Sequence, residues 1–318
     1  MHLGNMFCAL LSWLSAKSNG GEWLLRIEDL DPQRSRRDYA LQLMDDLQWL
    51  GLPWDGEVVW QSERSDIYEH YLGLLKDAGL TYPCFCSRAD IMATQAPHET
   101  DGRIVYAGTC RPKNMFPGRA RLSSLSRFSS LSSSSRQSSS SRNSPAAIRL
   151  LVPDEDISFL DGHYGEQCVN LARHCGDYIL RRKDGAWAYQ LAVVVDDALM
   201  GVTEVVRGRD LLLSTPQQLH LHRILASLSS PPIEGVRGGL SFIHHPLLIN
   251  ESGQRLCKRD KALDLGSLRS KHKSPDEIVG FLAFLAGILP APTPTLPQDL
   301  LPLFAWQKVP TEDIVAAL

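Results

Sequence analysis

The sequence predicts an α/β fold: an open sheet flanked by helices and interrupted by a metal-binding insertion. Three observations carry that expectation. Helical patterns at 4–17, 35–50 and 64–78 surround a short apolar run, Trp23-Leu-Leu-Arg-Ile27, suited to a buried parallel strand. Glu28, Asp29 and Asp31 follow that run, at the strand end where open α/β sheets place their ligands. Cys84-Phe-Cys86 is followed by Tyr106-Ala-Gly-Thr-Cys110, so that two thiols two residues apart and a third beyond a polar loop can face one metal ion.

Composition narrows the class. The 318 residues, 43% hydrophobic, suffice for one large domain or two modest ones. A formal net charge of −3 requires any nucleic-acid contact to use a local basic patch. Seven cysteines in a chain this long read as reduced thiols of a cytoplasmic protein. The apolar stretch 6–14 is too short to span a bilayer and lacks a basic start, so neither a secretory signal nor a membrane anchor is expected. The chain is expected to be a monomer.

The elements follow in order. Helix 4–17 is stopped by Lys17-Ser-Asn-Gly-Gly21. It opens directly on His2-Leu-Gly4-Asn5, whereas a nucleotide-binding helix ordinarily follows a strand; a first strand is expected to be missing. The helix 35–50 ends at Gly51, and the opening third reads helix–strand–helix–helix. The metal segment occupies 82–112. Residues 118–145, dominated by Ser and Arg, cannot bury enough area to order themselves and read as a disordered insert. Strands are expected at 148–152, 157–160, 178–182, 186–195 and 202–206, with 178–195 a hairpin turning at Lys183-Asp-Gly185, and residues 242–249 with the turn Asn250-Glu-Ser-Gly253 lead to the basic motif that follows. Ser214 or Thr215 caps a helix running to about Leu228, and a last helix covers about 276–288.

Several residues have chemistry beyond packing. The N-terminus of the first helix favours an anion, and Gly4 allows close approach to its backbone. Arg255-Leu-Cys257-Lys258, with Lys261, supplies cations that can clamp phosphates. Glu28 can accept an α-amino group, and Arg207, just past a strand, can grip a carboxylate through two nitrogens. Tyr189 lies in a predicted strand. A tetrahedral metal site needs a fourth donor beside Cys84, Cys86 and Cys110: Tyr106, His98 or water.

In combination, Arg26-Ile-Glu-Asp-Leu-Asp-Pro32, Trp54-Asp-Gly-Glu57, the Cys-x-Cys…Tyr-x-x-x-Cys pattern and Gly201-Val-Thr-Glu-Val-Val-Arg-Gly208 resemble the class I glutamyl-tRNA synthetases. In detail they are similar to the shortened branch, the glutamyl-queuosine tRNA(Asp) synthetases. The resemblance implies a Rossmann-like catalytic domain in two halves, 1–81 and 176–270. It also implies a zinc-binding and acceptor insertion at 82–175 and a short helical end at 271–318 without an anticodon-binding domain. His2, Gly4, Asn5, Arg255 and Lys258 match the ATP signatures, with His2 and Lys258 acting on the phosphates. Glu28, Tyr189 and Arg207 match the glutamate site. Cys84, Cys86, Tyr106 and Cys110 match the ligands of a structural Zn²⁺. Implied substrates are Mg·ATP, L-glutamate and the anticodon loop of tRNA(Asp). The family's Arg-Phe-Ala-Pro-Ser-Pro-(Ser/Thr)-Gly segment does not precede His2, and a form without it is expected to have little activity. The other readings are a glutamyl-tRNA synthetase fragment charging tRNA(Glu) and an inactive zinc- and RNA-binding relic.

Overall fold

The computed structural model describes residues 1–31, 35–93, 105–113, 145–229, 239–256, 264–271 and 273–316. Leu3–Ser18 forms α1. Leu3, Met6, Phe7, Leu10, Leu11 and Leu14 recur at helical spacing and are fully buried. Gly20, at φ +67°, turns the chain out of the helix. Strand β1 (Leu24–Ile27) then runs parallel to β2 (Asp55–Trp60), with α2 (Arg37–Trp49) as the crossover. The expected opening lacked β2. Its only apolar run, Val58-Val-Trp60, is three residues long and follows Asp55-Gly-Glu57, which reads as a turn.

Helix α3 (Ser65–Asp77) leads into β3 (Thr81–Cys84) and α4 (Arg88–Ala93). Strands β4 (Ala147–Leu150), β5 (Asp156–Asp161) and β6 (Gly165–Asn170) come next, then α5 (Leu171–His174) and β7 (Ile179–Arg181). Strands β3, β4 and β7 form an antiparallel sheet that delivers Cys84 at its edge. The expected hairpin is half right. The chain turns at Gly185, φ +87°, and Trp187 bridges back to Arg181. Beyond it, the expected strand is a helix, α6 (Tyr189–Leu199). Leu191–Ala198 are buried on every side, so the apolar run carried neither a twofold nor a 3.6-residue pattern to distinguish the two.

Strand β8 (Glu204–Gly208), helix α7 (Thr215–Leu228) and strand β9 (Ser241–His245) complete a four-stranded sheet ordered β6-β5-β9-β8. The chain leaves this sheet at Pro246, and a short strand, β10 (Leu248–Ile249), pairs elsewhere. The described residues that follow include α8 (Leu265–Ser270), α9 (Pro275–Leu285) and α10 (Pro297–Leu300), before β11 (Ile314–Val315) pairs with β10. A capping box of Ser274 and Glu277 starts α9.

One core packs α1 and β1 against α2 and the C-terminal helices. A second joins α3, α6 and α7. A small third core surrounds the cysteines: Tyr82, Cys84, Tyr106, Ala147 and Leu151. Strands β1 and β8 do not pair with each other. Each is hydrogen-bonded on one side, to β2 and β9 respectively, and a cavity of about 700 Å³ lies between them. Most of the Ser/Arg-rich stretch 118–145, together with His98, Cys257, Lys258 and Lys261, lies outside the described residues.

Candidate active site and metal centre

Glu28, Tyr189, Arg207 and Asn5 all line the cavity between β1 and β8, although up to 202 positions separate them in the chain. Arg207, at the end of β8, is only 7% exposed. Its Nε donates to His244 Nε2 at 3.1 Å, Nη1 to Gln218 Oε1 at 2.7 Å and Nη2 to Thr215 Oγ1 at 2.8 Å. Each terminal nitrogen makes a second, long contact, to the Tyr189 hydroxyl at 3.4 Å and the Leu211 carbonyl at 3.5 Å. The guanidinium is thus held from behind by three strong bonds, and its two weakly committed donors can serve a carboxylate at the cavity wall. Burial draws Arg207 below the ordinary arginine value, although Tyr189 and Asp197 act in the opposite direction.

Glu28 is held by a residue that sequence reasoning left unassigned. Arg26 donates to Glu28 Oε1 at 3.2 Å and to Asp197 Oδ1 at 2.7 Å. Both partners line the cavity, and burial raises the Asp197 carboxyl against the pull of Arg26. The available signal was the spacing of Arg26 and Glu28, two residues apart and so on one side of an extended chain.

His2 is the N-cap of α1, where its Nδ1 accepts from the Asn5 backbone N–H at 3.3 Å and the Asn5 side chain answers to the His2 N–H at 3.4 Å. A neutral imidazole accepting at Nδ1 carries its proton on Nε2. A Cβ on Gly4 would stand 3.2 Å from the ring, so glycine here makes room for the cap itself. Neither His2 nor Gly4 lines the cavity, whereas Asn5, in the first turn of the same helix, does. Arg255 is exposed and pairs with Asp210, and it does not line the cavity. Both bear on Cys8 in the cavity wall, whose thiol burial pushes up to about 11.

The metal candidates converge separately. The sulfurs of Cys84, Cys86 and Cys110 lie within 4.8 Å of one another, the last two 3.5 Å apart. Tetrahedral Zn–S bonds of about 2.3 Å put sulfurs about 3.8 Å apart, so the trio fits Zn²⁺. Tyr106 Oη is 3.4 Å from Cys84 and 3.7 Å from Cys86, and accepts from the Cys110 backbone N–H at 2.7 Å. The phenol oxygen thus stands beside the three sulfurs. The Arg149 guanidinium lies 3.7 Å over the Tyr106 ring and donates to the Asp177 carbonyl at 2.6 Å. Burial opposes ionisation of Cys84, but Tyr106 and Arg149 outweigh it and bring the thiol down to about 7.

A sequence model of the catalytic domain of tRNA synthetases class I (E and Q) matches residues 1–291. The chain belongs to this family. It is 41% identical over 324 residues to a glutamyl-Q tRNA(Asp) synthetase of Symbiobacterium thermophilum, covering 99% of this chain and 91% of that protein. To a glutamyl-Q tRNA(Asp) synthetase of Nitratidesulfovibrio vulgaris it is 40% identical, with the same coverage. The fold matches a glutamate-tRNA synthetase from Elizabethkingia anophelis with a TM-score of 0.74 at 24% identity, over 100% of this chain and 66% of that one. A glutamate tRNA ligase from Elizabethkingia meningosepticum gives 0.73 at 24% identity, over 99% and 64%. This class I synthetase chain therefore spans about two thirds of those solved chains. Among its described residues no helix is long and apolar enough to cross a membrane.

The synthetase buries four histidines, His220 and His222 on α7 and His244 and His245 on β9. Burial lowers His220 and His245 to about 4, and lowers His222 and His244 as well. Their folded values lie below the unfolded value of about 6.5. Their stabilising contribution is therefore complete above pH 6.5 and is lost as pH falls toward 4, on the order of 3 kcal/mol each for His220 and His245 by pH 4. The melting temperature is expected to be flat from pH 8 to 6.5 and to fall steeply below it. A midpoint unchanged between pH 7 and 4.5 would contradict this account.

Proposed function

We propose that this synthetase activates L-glutamate with ATP and transfers it to the queuosine base in the anticodon loop of tRNA(Asp). The observation that carries this reading is the convergence of Glu28, Tyr189 and Arg207 on one cavity at the ends of β1 and β8. Names of relatives at about 40% identity over nearly the whole chain supply the acceptor.

Glutamate binds with its α-amino group on Glu28 and a carboxylate on the two outward donors of Arg207, beside the Tyr189 hydroxyl. Glu28 is itself steadied by Arg26. ATP, with Mg²⁺ accompanying it as substrate, lies along the N-terminal end of α1, where His2, Gly4 and Asn5 meet its base and phosphates. Arg255 and Lys258 neutralise the departing charge. The α-carboxylate of glutamate, already ionised near pH 7, attacks the α-phosphorus. The new O–P bond forms as the bond to the β-phosphate oxygen breaks, and pyrophosphate leaves with that electron pair. A hydroxyl of the queuosine cyclopentene-diol then attacks the acyl carbon, AMP departs with the acyl–oxygen pair, and the hydroxyl proton passes to solvent. No general base is needed in the first step, so the protein's part is positioning and charge neutralisation.

Cys84, Cys86, Cys110 and Tyr106 would hold Zn²⁺, which when bound supplies a cross-link rather than chemistry. Its small core is separate from the one that holds α1.

The test is incorporation of radiolabelled glutamate with ATP into two substrates, queuosine-containing tRNA(Asp) and tRNA(Glu). Label is expected on tRNA(Asp) alone and is lost when the queuosine is absent. Label on tRNA(Glu) and not on tRNA(Asp) would overturn the acceptor assignment.

A further inference from the structure

We propose that Asp161 and His244 form a positioning pair that fixes the outward aim of Arg207, making glutamate affinity depend on which nitrogen of His244 carries its proton. The proposal rests on the reading that Arg207 receives the substrate carboxylate.

The geometry settles the tautomer. The Asp161 and His244 side chains are both fully buried. Asp161 Oδ1 accepts three backbone N–H groups, from His163 at 3.0 Å, Tyr164 at 2.9 Å and His244 at 3.3 Å. Its Oδ2 lies 2.5 Å from His244 Nδ1. Burial opposes the charge on Asp161, but His244 and the amides of Tyr164 and His163 outweigh it and hold the carboxyl below its ordinary value, so it is an anion that only accepts. His244 Nδ1 must therefore carry a proton. On the far side of the ring, Arg207 Nε–H points at Nε2 from 3.1 Å, and a guanidinium only donates. Nε2 must therefore be unprotonated. His244 is thus the neutral Nδ1–H form, and the lone pair on Nε2 anchors the one Arg207 nitrogen that cannot reach the cavity.

The surroundings agree. Phe242 stacks on the imidazole at 6.4 Å between centroids, and the Thr215 hydroxyl lies 3.4 Å from Nε2. The charged and titratable groups facing the ring are Asp161 from β5, Arg207 from β8, Asp210 from the turn after β8 and His245 from β9. Burial is the largest influence on His244 and lowers it; Asp161 and Asp210 raise it and Arg207 lowers it. A proton on Nε2 would set a donor against the Arg207 Nε–H, and the guanidinium would have to turn.

Asp161→Asn tests this with almost no change of shape. The three amides on Oδ1 require the new side chain to keep its oxygen there, so its NH₂ faces His244 Nδ1 and forces the proton to Nε2. The full chain is titrated with L-glutamate and, separately, with ATP by calorimetry, and its histidines are followed by ¹⁵N NMR. Glutamate affinity is expected to fall about tenfold or more in Asp161→Asn, with ATP affinity unchanged and the His244 proton moved from Nδ1 to Nε2. Unchanged glutamate affinity in a variant that has switched tautomer would overturn the proposal. So would a parent protein whose His244 carries its proton on Nε2 at pH 7.5, a measurement that decides the matter even if the variant does not fold. Arg207→Ala separates the two readings. If it leaves glutamate affinity intact, the substrate assignment fails; if it weakens glutamate and Asp161→Asn does not, only the positioning pair fails.

Discussion

Replacing Arg207 by alanine is expected to raise the KM for glutamate by at least about a hundredfold while leaving the KM for ATP within about twofold. Two charge-assisted bonds to the substrate are lost together, each contributing roughly 1.5–3 kcal/mol. The same change strands the inward acceptors, His244 Nε2, Gln218 Oε1 and Thr215 Oγ1, which now take three short bonds from the guanidinium. The melting temperature should therefore fall as well. Arg207→Lys distinguishes the effects, because a lysine keeps the charge and cannot reproduce the planar fork. It should recover little of the glutamate affinity. A glutamate dependence unaltered in Arg207→Ala would reject the assignment of this residue to the substrate.

Cys84→Ser is expected to lose bound zinc and to destabilise the metal-binding insertion. Elemental analysis of the purified parent should show about one zinc per chain, and the variant well below that. Cys84 lies at the end of β3, 1% exposed, so the change affects both the ligand set and the small core around it. Cys168→Ser, on the exposed side of β6, provides the control, since it meets neither. Tyr106→Phe tests the fourth corner: it keeps the ring beneath Arg149 and removes only the oxygen that touches two sulfurs. Zinc retained at full stoichiometry in Cys84→Ser, after exhaustive dialysis, would remove the metal assignment.

The legible parts of the molecule were those whose signal is local. Helix α1 was readable because its apolar residues keep helical spacing up to a glycine turn. Cys84 and Cys86 were readable from their spacing alone. Glu28, Tyr189 and Arg207 are each ordinary in their own segments, and only the family resemblance joined them into one site; the structure lines one cavity with all three. What the sequence concealed falls into two kinds. Helix α6 is buried on every face, and a run such as Leu-Ala-Val-Val-Val is as good a central strand as a central helix. The supports of Arg207 were hidden by distance, His244 lying 37 positions away and Asp161 a further 83 from His244. No pattern within one element points to such partners. Two of the ATP-signature residues also have structural partners that their motifs did not show: His2 caps α1, and Arg255 pairs with Asp210.

Parallel strands in a ladder stand about 4.8 Å apart, a spacing set by backbone geometry and insensitive to side chains. Strands β1 and β8 have no such ladder between them. The ties that bridge the interval are side-chain ones: α1 reaches β8 through Ser15 and Glu204 at 2.6 Å, and β1 reaches α6 through Arg26 and Asp197 at 2.7 Å. Val206 of β8 also packs on the core that holds Leu25 and Ile27 of β1, so the aperture rests on an apolar hinge with polar struts beside it, and a change at Arg26 would remove one strut while leaving the hinge in place.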